Sequence, residues 1–493
     1  MQTQKHSGSI VSPDWPNFLA GLSNQALKSK HVRGVAFANA RKRVVDQMYP
    51  TTQVPGRVIE DQKLILNLIL DTIERALDEG RISDQFSQRI IRNVIKNVVF
   101  NSDKAKAWDA FRERYAGQDP PGFLVISPGK ACNLHCKGCY ASSGNDREKL
   151  DWDVFDQIIT QAKRDWGAWF FTISGGEPMA YRSQGKTLLD IFAKHDDCMF
   201  LMYTNGTLID EKVAERMAAL GNVTPAISVE GMRESTDDRR GEGVHDRILA
   251  AMANLRAGGV PFGISLTATR FNCEEILSDE VIDFYKEEQG ALYAWLFQYM
   301  PIGRGYTLDL LVSPEQRAWM WERTWDIVKS KGFFIADFWN FGTISGGCIS
   351  AGKAGGYMYI DWNGKVMPCV FFPYSPVNVN DAFAQGKTLN DIWAEPFFAA
   401  IREWQTQYAN VGHPEAAGNW IKPCPIRDHH AEARRIINMH EPDPEDAAAA
   451  DALSDPDYYD GLTEYDRKLG QTLDPIWAKH YLSGSASNRA NSA

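Results

Sequence analysis

Nowhere in the chain do roughly 18 consecutive apolar residues occur, so the sequence offers no candidate transmembrane helix. The opening Met1-Gln2-Thr3-Gln4-Lys5-His6 leads into no apolar stretch of signal-peptide length, and a cytoplasmic protein is expected. Basic charge is in deficit: 53 Lys and Arg against 63 Asp and Glu leave a formal charge of −10. That excludes the broadly basic footprint of a general nucleic-acid binder, and no nucleic-acid partner is expected. Cysteine is scarce too, with eight in 493 residues, six of them in two spaced groups. Such usage suits metal ligation in a reducing compartment better than a disulfide framework. What the composition does supply is apolar mass, 44% hydrophobic and 11% aromatic residues, enough for substantial cores in two or three domains.

The first cysteine group lies in Lys130-Ala131-Cys132-Asn133-Leu134-His135-Cys136-Lys137-Gly138-Cys139-Tyr140. Gaps of three and two residues place Cys132, Cys136 and Cys139 at three corners of an iron-sulfur cubane and leave its fourth iron without a protein ligand. A structural zinc site wants a fourth ligand close by, and a structural 4Fe-4S cluster wants four thiolates. Neither set is completed within this loop, and from spacing alone a zinc knuckle stays open beside the cubane.

Four regions follow from the pattern along the chain: an N-terminal helical region (1–118), a βα-rich core (119–312), a second cysteine-bearing region (313–440), and an acidic linker and tail (441–493). In the first, Leu64, Leu68, Ile69, Ile73, Ala76 and Leu77 recur at helical spacing before Gly80, and Phe86, Ile90, Ile91, Val94, Ile95 and Val98 make a second amphipathic face. Lys28, Lys30, Arg33, Arg41, Lys42 and Arg43 form either a solvated helix face or a site for an anionic partner or membrane surface. In the core, the apolar runs 123–126, 169–173, 199–203, 226–229, 262–266 and 293–299 are six candidate parallel strands with helical patterns between them. Periodicity alone fits a partial barrel, a doubly wound sheet or an eight-unit barrel equally. Residues 313–331 suit a helix with Trp319, Trp321 and Trp325 on its apolar face. From Glu441-Pro442-Asp443-Pro444-Glu445-Asp446 onward little is available for burial, although Tyr458, Tyr459, Tyr465, Ile476, Trp477 and Tyr481 can dock the later part. The last Ser-, Asn- and Ala-rich residues are expected to be disordered.

The cysteine loop follows the first predicted strand, and Ser174-Gly175-Gly176-Glu177-Pro178 ends the second. Together these resemble the radical S-adenosylmethionine (SAM) superfamily. The resemblance implies an α/β fold with a partial (βα)6 TIM-like barrel, opened on one side to admit a substrate. It implies that Cys132, Cys136 and Cys139 hold a catalytic 4Fe-4S cluster whose open iron is chelated by the amino and carboxylate groups of SAM. Reductive cleavage then yields a 5′-deoxyadenosyl radical that takes a hydrogen atom from the substrate. By the same resemblance, Gly175, Gly176 and Glu177 position the SAM amino group and Tyr140 lines the SAM pocket. Ser228 and Glu230, in Ser228-Val229-Glu230-Gly231, match a Ser-x-Asp-Gly sequence that meets the ribose or the SAM carboxylate, with Glu departing from the usual Asp. Arg304, in Met300-Pro301-Ile302-Gly303-Arg304-Gly305, is a candidate for a carboxylate contact or a surface salt bridge.

The second group is Cys348, Cys369 and Cys424. Cys348 and Cys369 frame Cys-x15-Gly-x4-Cys around Gly364, which resembles the start of a SPASM or Twitch auxiliary-cluster domain. Strand-like runs 357–362 and 365–370 meet at Asn363-Gly364, a favoured type I′ hairpin dipeptide, giving a small C-terminal hairpin-containing cluster domain. A full SPASM domain carries seven cysteines; three here suit one auxiliary 4Fe-4S cluster, its fourth position open to substrate or filled by Asp428, His429 or His430. Cys198 and Cys273 belong to neither set. The activity expected is radical modification of a peptide or protein side chain, or another C–H bond, with a flavodoxin- or ferredoxin-type electron donor. A lipid or small metabolite is the alternative substrate. A non-catalytic iron-sulfur electron-transfer or scaffold protein is the alternative class, and it leaves Gly175-Gly176-Glu177 unexplained.

Overall fold

The computed structural model describes residues 29–45, 53–94 and 102–482. Its centre is one ten-stranded sheet. Six parallel strands arise from the six apolar runs: β1 (Phe123–Ile126), β2 (Phe170–Ile173), β3 (Met199–Thr204), β4 (Val223–Val229), β5 (Gly263–Ala268) and β6 (Tyr293–Gln298). Helices return between them, each stopped by a local device. The Trp152–Trp166 helix, for example, ends at Gly167, whose φ of 60° is left-handed, and Asp210 caps Glu211–Leu220 by accepting from the Val213 amide. The sheet is thus a partial TIM-like barrel built of βα units.

Two features extend the six-unit expectation. A seventh parallel strand, β7 (Phe334–Asp337), pairs with β6. At the other edge β8 (Tyr357–Ile360) pairs in parallel with the whole of β1, and β9 (Lys365–Met367) and β10 (Val377–Asn378) follow it antiparallel. The hairpin expected in a small separate domain therefore continues the barrel sheet. The reason is the free edge of β1, whose unpaired amides and carbonyls need a neighbour. The hairpin turn also differs from type I′. Gly364 has a φ of 83° but Asn363 is not left-handed, and Asp361 Oδ1 accepts from the amides of Asn363 and Lys365. This is a turn closed by a single left-handed glycine.

The stretch read as a solvated linker is helical, and its later part docks through the aromatic residues expected to hold it. Helices Ala447–Ser454 and Pro456–Trp477 pack on the body of the protein, with Tyr458, Leu462, Tyr465, Leu469, Leu473 and Trp477 buried on one face. Tyr481 donates to Asp61 Oδ2 at 2.7 Å, fastening this segment to the N-terminal helix Gly56–Asp78. Three- and four-residue spacing of large apolar side chains outweighs the acidic composition around them. On the helix Pro314–Asp326, Trp321 and Trp325 are buried as expected, whereas Trp319 stands exposed on another face. Arg33 pairs with Asp78, and Arg41 with Asp71 and Glu74, so these basic side chains are neutralised within the N-terminal helices. Lys28, Ile95, Lys96, Val98 and the final residues lie outside the described residues.

Candidate active site

Parallel strands direct their carboxyl ends, and the loops that follow, to one rim of a barrel. Several such loops meet here. The cysteine loop leaves β1, and the Gly175-Gly176-Glu177 segment leaves β2. The two are stitched by backbone bonds: the Gly176 amide donates to the Gly129 carbonyl at 3.0 Å, and the Glu177 amide to Ala131 at 2.8 Å. A Cβ on Gly176 would stand 2.3 Å from the carbonyl oxygens of Lys130 and Ala131, so only glycine admits this contact. From the end of β6, Arg304 donates to the carbonyls of Cys136, at 2.9 Å, and Ser143. Arg304 thus clamps the cysteine loop, which is neither of the two roles open to it from sequence.

A cavity of about 420 Å³ opens beneath these loops, lined by Cys132, Cys136, Cys139, Tyr140, Ser174, Gly175, Gly176 and Ser228. Burial pushes the Cys132 thiol up to about 11 and raises Cys136, while Arg240 opposes the shift at Cys136. Tyr140 is fixed in the wall by a 2.7 Å hydrogen bond to Ser174 Oγ. Ser228 faces Ser265 across β4 and β5.

Glu177 and Glu230 are placed otherwise than expected. Glu177 is 1% exposed and lies behind the cavity wall. Its carboxylate accepts from Thr204 Oγ1 at 2.7 Å and from the amides of Met179, at 3.0 Å, and Asn205, at 2.8 Å. It braces the β2 and β3 loops against each other. Glu230 is also 1% exposed and behind the wall, with ion pairs to Arg239 at 2.6 Å and Arg240 at 2.5 Å. The side chains that reach the cavity are the two arginines it holds. Sequence reasoning missed both: adjacent arginines near the end of a short helix carry no spacing signal distinct from an ordinary charged surface.

The second cysteine group lines a separate cavity of about 200 Å³ at the seam between β7 and β8. Cys348, Cys369 and Cys424 all face it, and burial pushes the Cys424 thiol up to about 12. The expected fourth ligands do not line it. Asp428 is fully buried in pairs with Arg317 and Arg427. His429 donates to the Lys422 carbonyl at 2.9 Å, and His430 donates through Nδ1 to Ile426 at 2.7 Å and packs on Tyr458. Among the described residues no three His, Cys, Asp or Glu side chains gather closely enough for one metal ion. A cubane asks for no such convergence, because its thiolates bind separate corner irons. Five residues, Trp295, Phe338, Ile349, Tyr357 and Phe371, face both cavities and form the partition between them.

Residues 126–276 match the model of the radical SAM superfamily, and 348–416 that of an iron-sulfur cluster-binding domain, SPASM. The chain therefore carries a radical SAM domain and a SPASM-type domain, which imply a 4Fe-4S cluster with SAM and auxiliary iron-sulfur. It is similar to the mycofactocin maturase MftC of Mycolicibacterium smegmatis, 29% identical over 321 residues, which are 61% of this chain and 78% of that one. It also resembles the AdoMet-dependent heme synthase of Methanosarcina barkeri, 26% identical over 295 residues, 53% of this chain and 79% of that one. Streptococcus suis SuiB bound to the precursor peptide SuiA shares the fold, with a TM-score of 0.52 and 20% identity over 69% of this chain and 77% of that one. No helix among the described residues is long and apolar enough to cross a membrane.

Proposed function

We propose that this radical SAM enzyme modifies a peptide or protein side chain, with Cys132, Cys136 and Cys139 holding the catalytic cluster and Cys348, Cys369 and Cys424 holding one auxiliary cluster. The catalytic cluster with SAM would supply a 5′-deoxyadenosyl radical, and the chain's own residues bind, orient and shield. Burial raises these thiols, and a bound cluster's charge would offset that cost by stabilising the thiolates. Arg239 and Arg240, oriented by Glu230, offer guanidinium groups to the SAM carboxylate. Gly175 and Gly176 let backbone approach the SAM amino group, and Ser228 offers a hydroxyl to the ribose. Glu177 acts through the loops it ties together. A flavodoxin or ferredoxin is the proposed electron donor.

The observation that carries this reading is the pair of three-cysteine cavities separated by a single layer of side chains. A substrate held in the larger cavity would lie one layer of side chains from a cluster held by Cys348, Cys369 and Cys424 in the smaller. The peptide is favoured by the likeness to a mycofactocin maturase and to the fold of a peptide-bound SuiB. A tetrapyrrole is the second reading, supported by the likeness to heme synthases and by the aromatic wall of the larger cavity. The test is anaerobic reconstitution, addition of dithionite and SAM, and mass spectrometry of precursor peptides and porphyrins. Formation of 5′-deoxyadenosine by the wild type but not by Cys136→Ala, with deuterium carried into it from a labelled peptide, is the expected result. Deuterium arriving only from a porphyrin selects the second reading.

A further inference from the structure

Three buried polar atoms near one corner of the barrel are left unsatisfied: Ser127 Oγ and the Tyr359 hydroxyl, which face each other without a well-aligned hydrogen bond, and Asp361 Oδ2. Each belongs to a fully buried residue. The topology brings them together. Tyr359 and Asp361 follow cavity-lining Tyr357 at two-residue steps, so all three share one face of β8 and its extension. Tyr359 stands opposite Val125 on β1, and Ser127 follows β1 directly, its amide donating to the Ile360 carbonyl at 2.9 Å. The Tyr359 hydroxyl faces Ser127, with Tyr140, Asp361 and Glu445 in electrostatic range. Ser127 adjoins Gly175, where a Cβ would lie 3.4 Å from the serine Cβ. The Tyr140 hydroxyl reaches this place from the cavity, bonded to Ser174 Oγ at 2.7 Å and to the Gly175 carbonyl at 3.4 Å.

A buried polar atom left dry costs about 1–3 kcal/mol. Three near one corner, surrounded by other polar groups, mark a place for buried water. We propose that Tyr140, Ser174, Ser127, Tyr359 and Asp361, joined by buried water, form an internal proton relay from the catalytic cavity to the carboxyl groups of Asp361 and Glu445. One proton enters the hydroxyl chain from the cavity as each hydroxyl passes its own proton onward, and one proton arrives on Asp361 Oδ2. No electron moves along this path, and reorientation of the hydroxyls restores the starting state. A proton outlet is required whenever a substrate radical loses an electron to an auxiliary cluster and a proton to its surroundings, whichever substrate is bound.

Asp361 suits the end of the relay. Its Oδ1 is fixed by two turn amides while Oδ2 stays free, and burial holds the carboxyl up at about 6, where protons are taken and released near neutrality. Lys365, on the same hairpin, faces Asp361; Glu445 faces it from beyond the Asp443–Pro444 strand. Lys130 of the cysteine loop and Asp446 face Glu445 in turn. Glu445 is the next carboxyl outward, partly exposed as a residue while burial raises its carboxyl above the ordinary range.

Infrared difference spectroscopy on the full-length reconstituted protein, titrated through the value near 6, tests the relay. A protonated-carboxyl band that disappears as pH rises is expected in the wild type. It is absent in Asp361→Asn, which keeps the turn cap through its amide oxygen, shifted in Tyr359→Phe, and retained in Glu445→Gln. A band indifferent to both Asp361→Asn and Tyr359→Phe overturns the relay. In turnover, Tyr359→Phe is expected to slow product formation several-fold and enlarge the solvent deuterium effect; an unchanged rate and isotope effect also overturn it. Failure of the functional reading shows separately, as a wild type that makes no 5′-deoxyadenosine, and the spectroscopic arm still decides the relay.

Discussion

Glu230 and Arg240 form a buried pair in which Nε and Nη2 of the arginine both reach Oε1 of the glutamate, at 3.0 and 2.5 Å. The carboxylate lies behind the cavity wall and the guanidinium on it. A residue that resembled a direct SAM ligand in sequence is thereby a positioning residue for the group that meets the cavity. Arg240→Ala is expected to weaken SAM binding at least tenfold, about 1.4 kcal/mol, measured by calorimetry on the reconstituted protein. Arg240→Lys should recover only part of that affinity, since the forked geometry is lost.

Glu230→Gln leaves Arg239 and Arg240 without their shared counter-charge. Breaking a buried pair from one side costs about 3–5 kcal/mol, so a clear fall in the urea midpoint is expected. A midpoint equal to that of the wild type would show that solvent reaches the arginines without help.

Cys348→Ala removes one of three thiolates from the smaller cavity and leaves the larger untouched. Iron content is expected to fall by about half, to the complement of one 4Fe-4S cluster. Formation of 5′-deoxyadenosine should persist while substrate product is lost. Retention of the full iron content would contradict an auxiliary cluster at this site.

Phe371 packs against Phe297, Phe338 and Trp339 with centroids 5.8, 5.9 and 5.1 Å apart, and it faces both cavities. Phe371→Ala merges the two spaces. Uncoupling is expected, with 5′-deoxyadenosine still formed and substrate product lowered at least tenfold, followed by chromatography of both products in one assay.

The Asp361 carboxyl is raised from 3.8 to about 6 by burial, so the folded chain binds this proton more tightly than the unfolded chain does. Stability contributed by the protonated form is therefore present at low pH and lost as pH rises through about 6. The difference corresponds to about 3 kcal/mol above that window. Asp361→Asn should raise the urea midpoint at neutral pH and flatten its pH dependence between 3.8 and 6. An unchanged midpoint at neutral pH would show that Asp361 ionises freely in the fold.

That Cys132, Cys136, Cys139, Gly175 and Gly176 belong together was legible before any coordinate, and the fold gathers all five at one cavity. Close ligand spacing and a close backbone approach constrain residue type and local spacing together. The roles of Glu177 and Glu230 were not legible, since a carboxylate at a strand end looks the same whether it faces the cavity or braces the wall behind it. His429 and His430 misled for a similar reason: adjacency to Cys424 in the chain says nothing about which way a ring turns.

The sequence by itself determined the six βα units, the two cysteine triads and the chemistry they suit, because strand periodicity and ligand spacing are local properties. Only the tertiary structure decided that β8 closes onto β1, that five residues part the two cavities, and that Arg239 and Arg240 line the larger one. Those are relations between segments far apart in the chain, set by edge pairing and burial, and no local pattern encodes them.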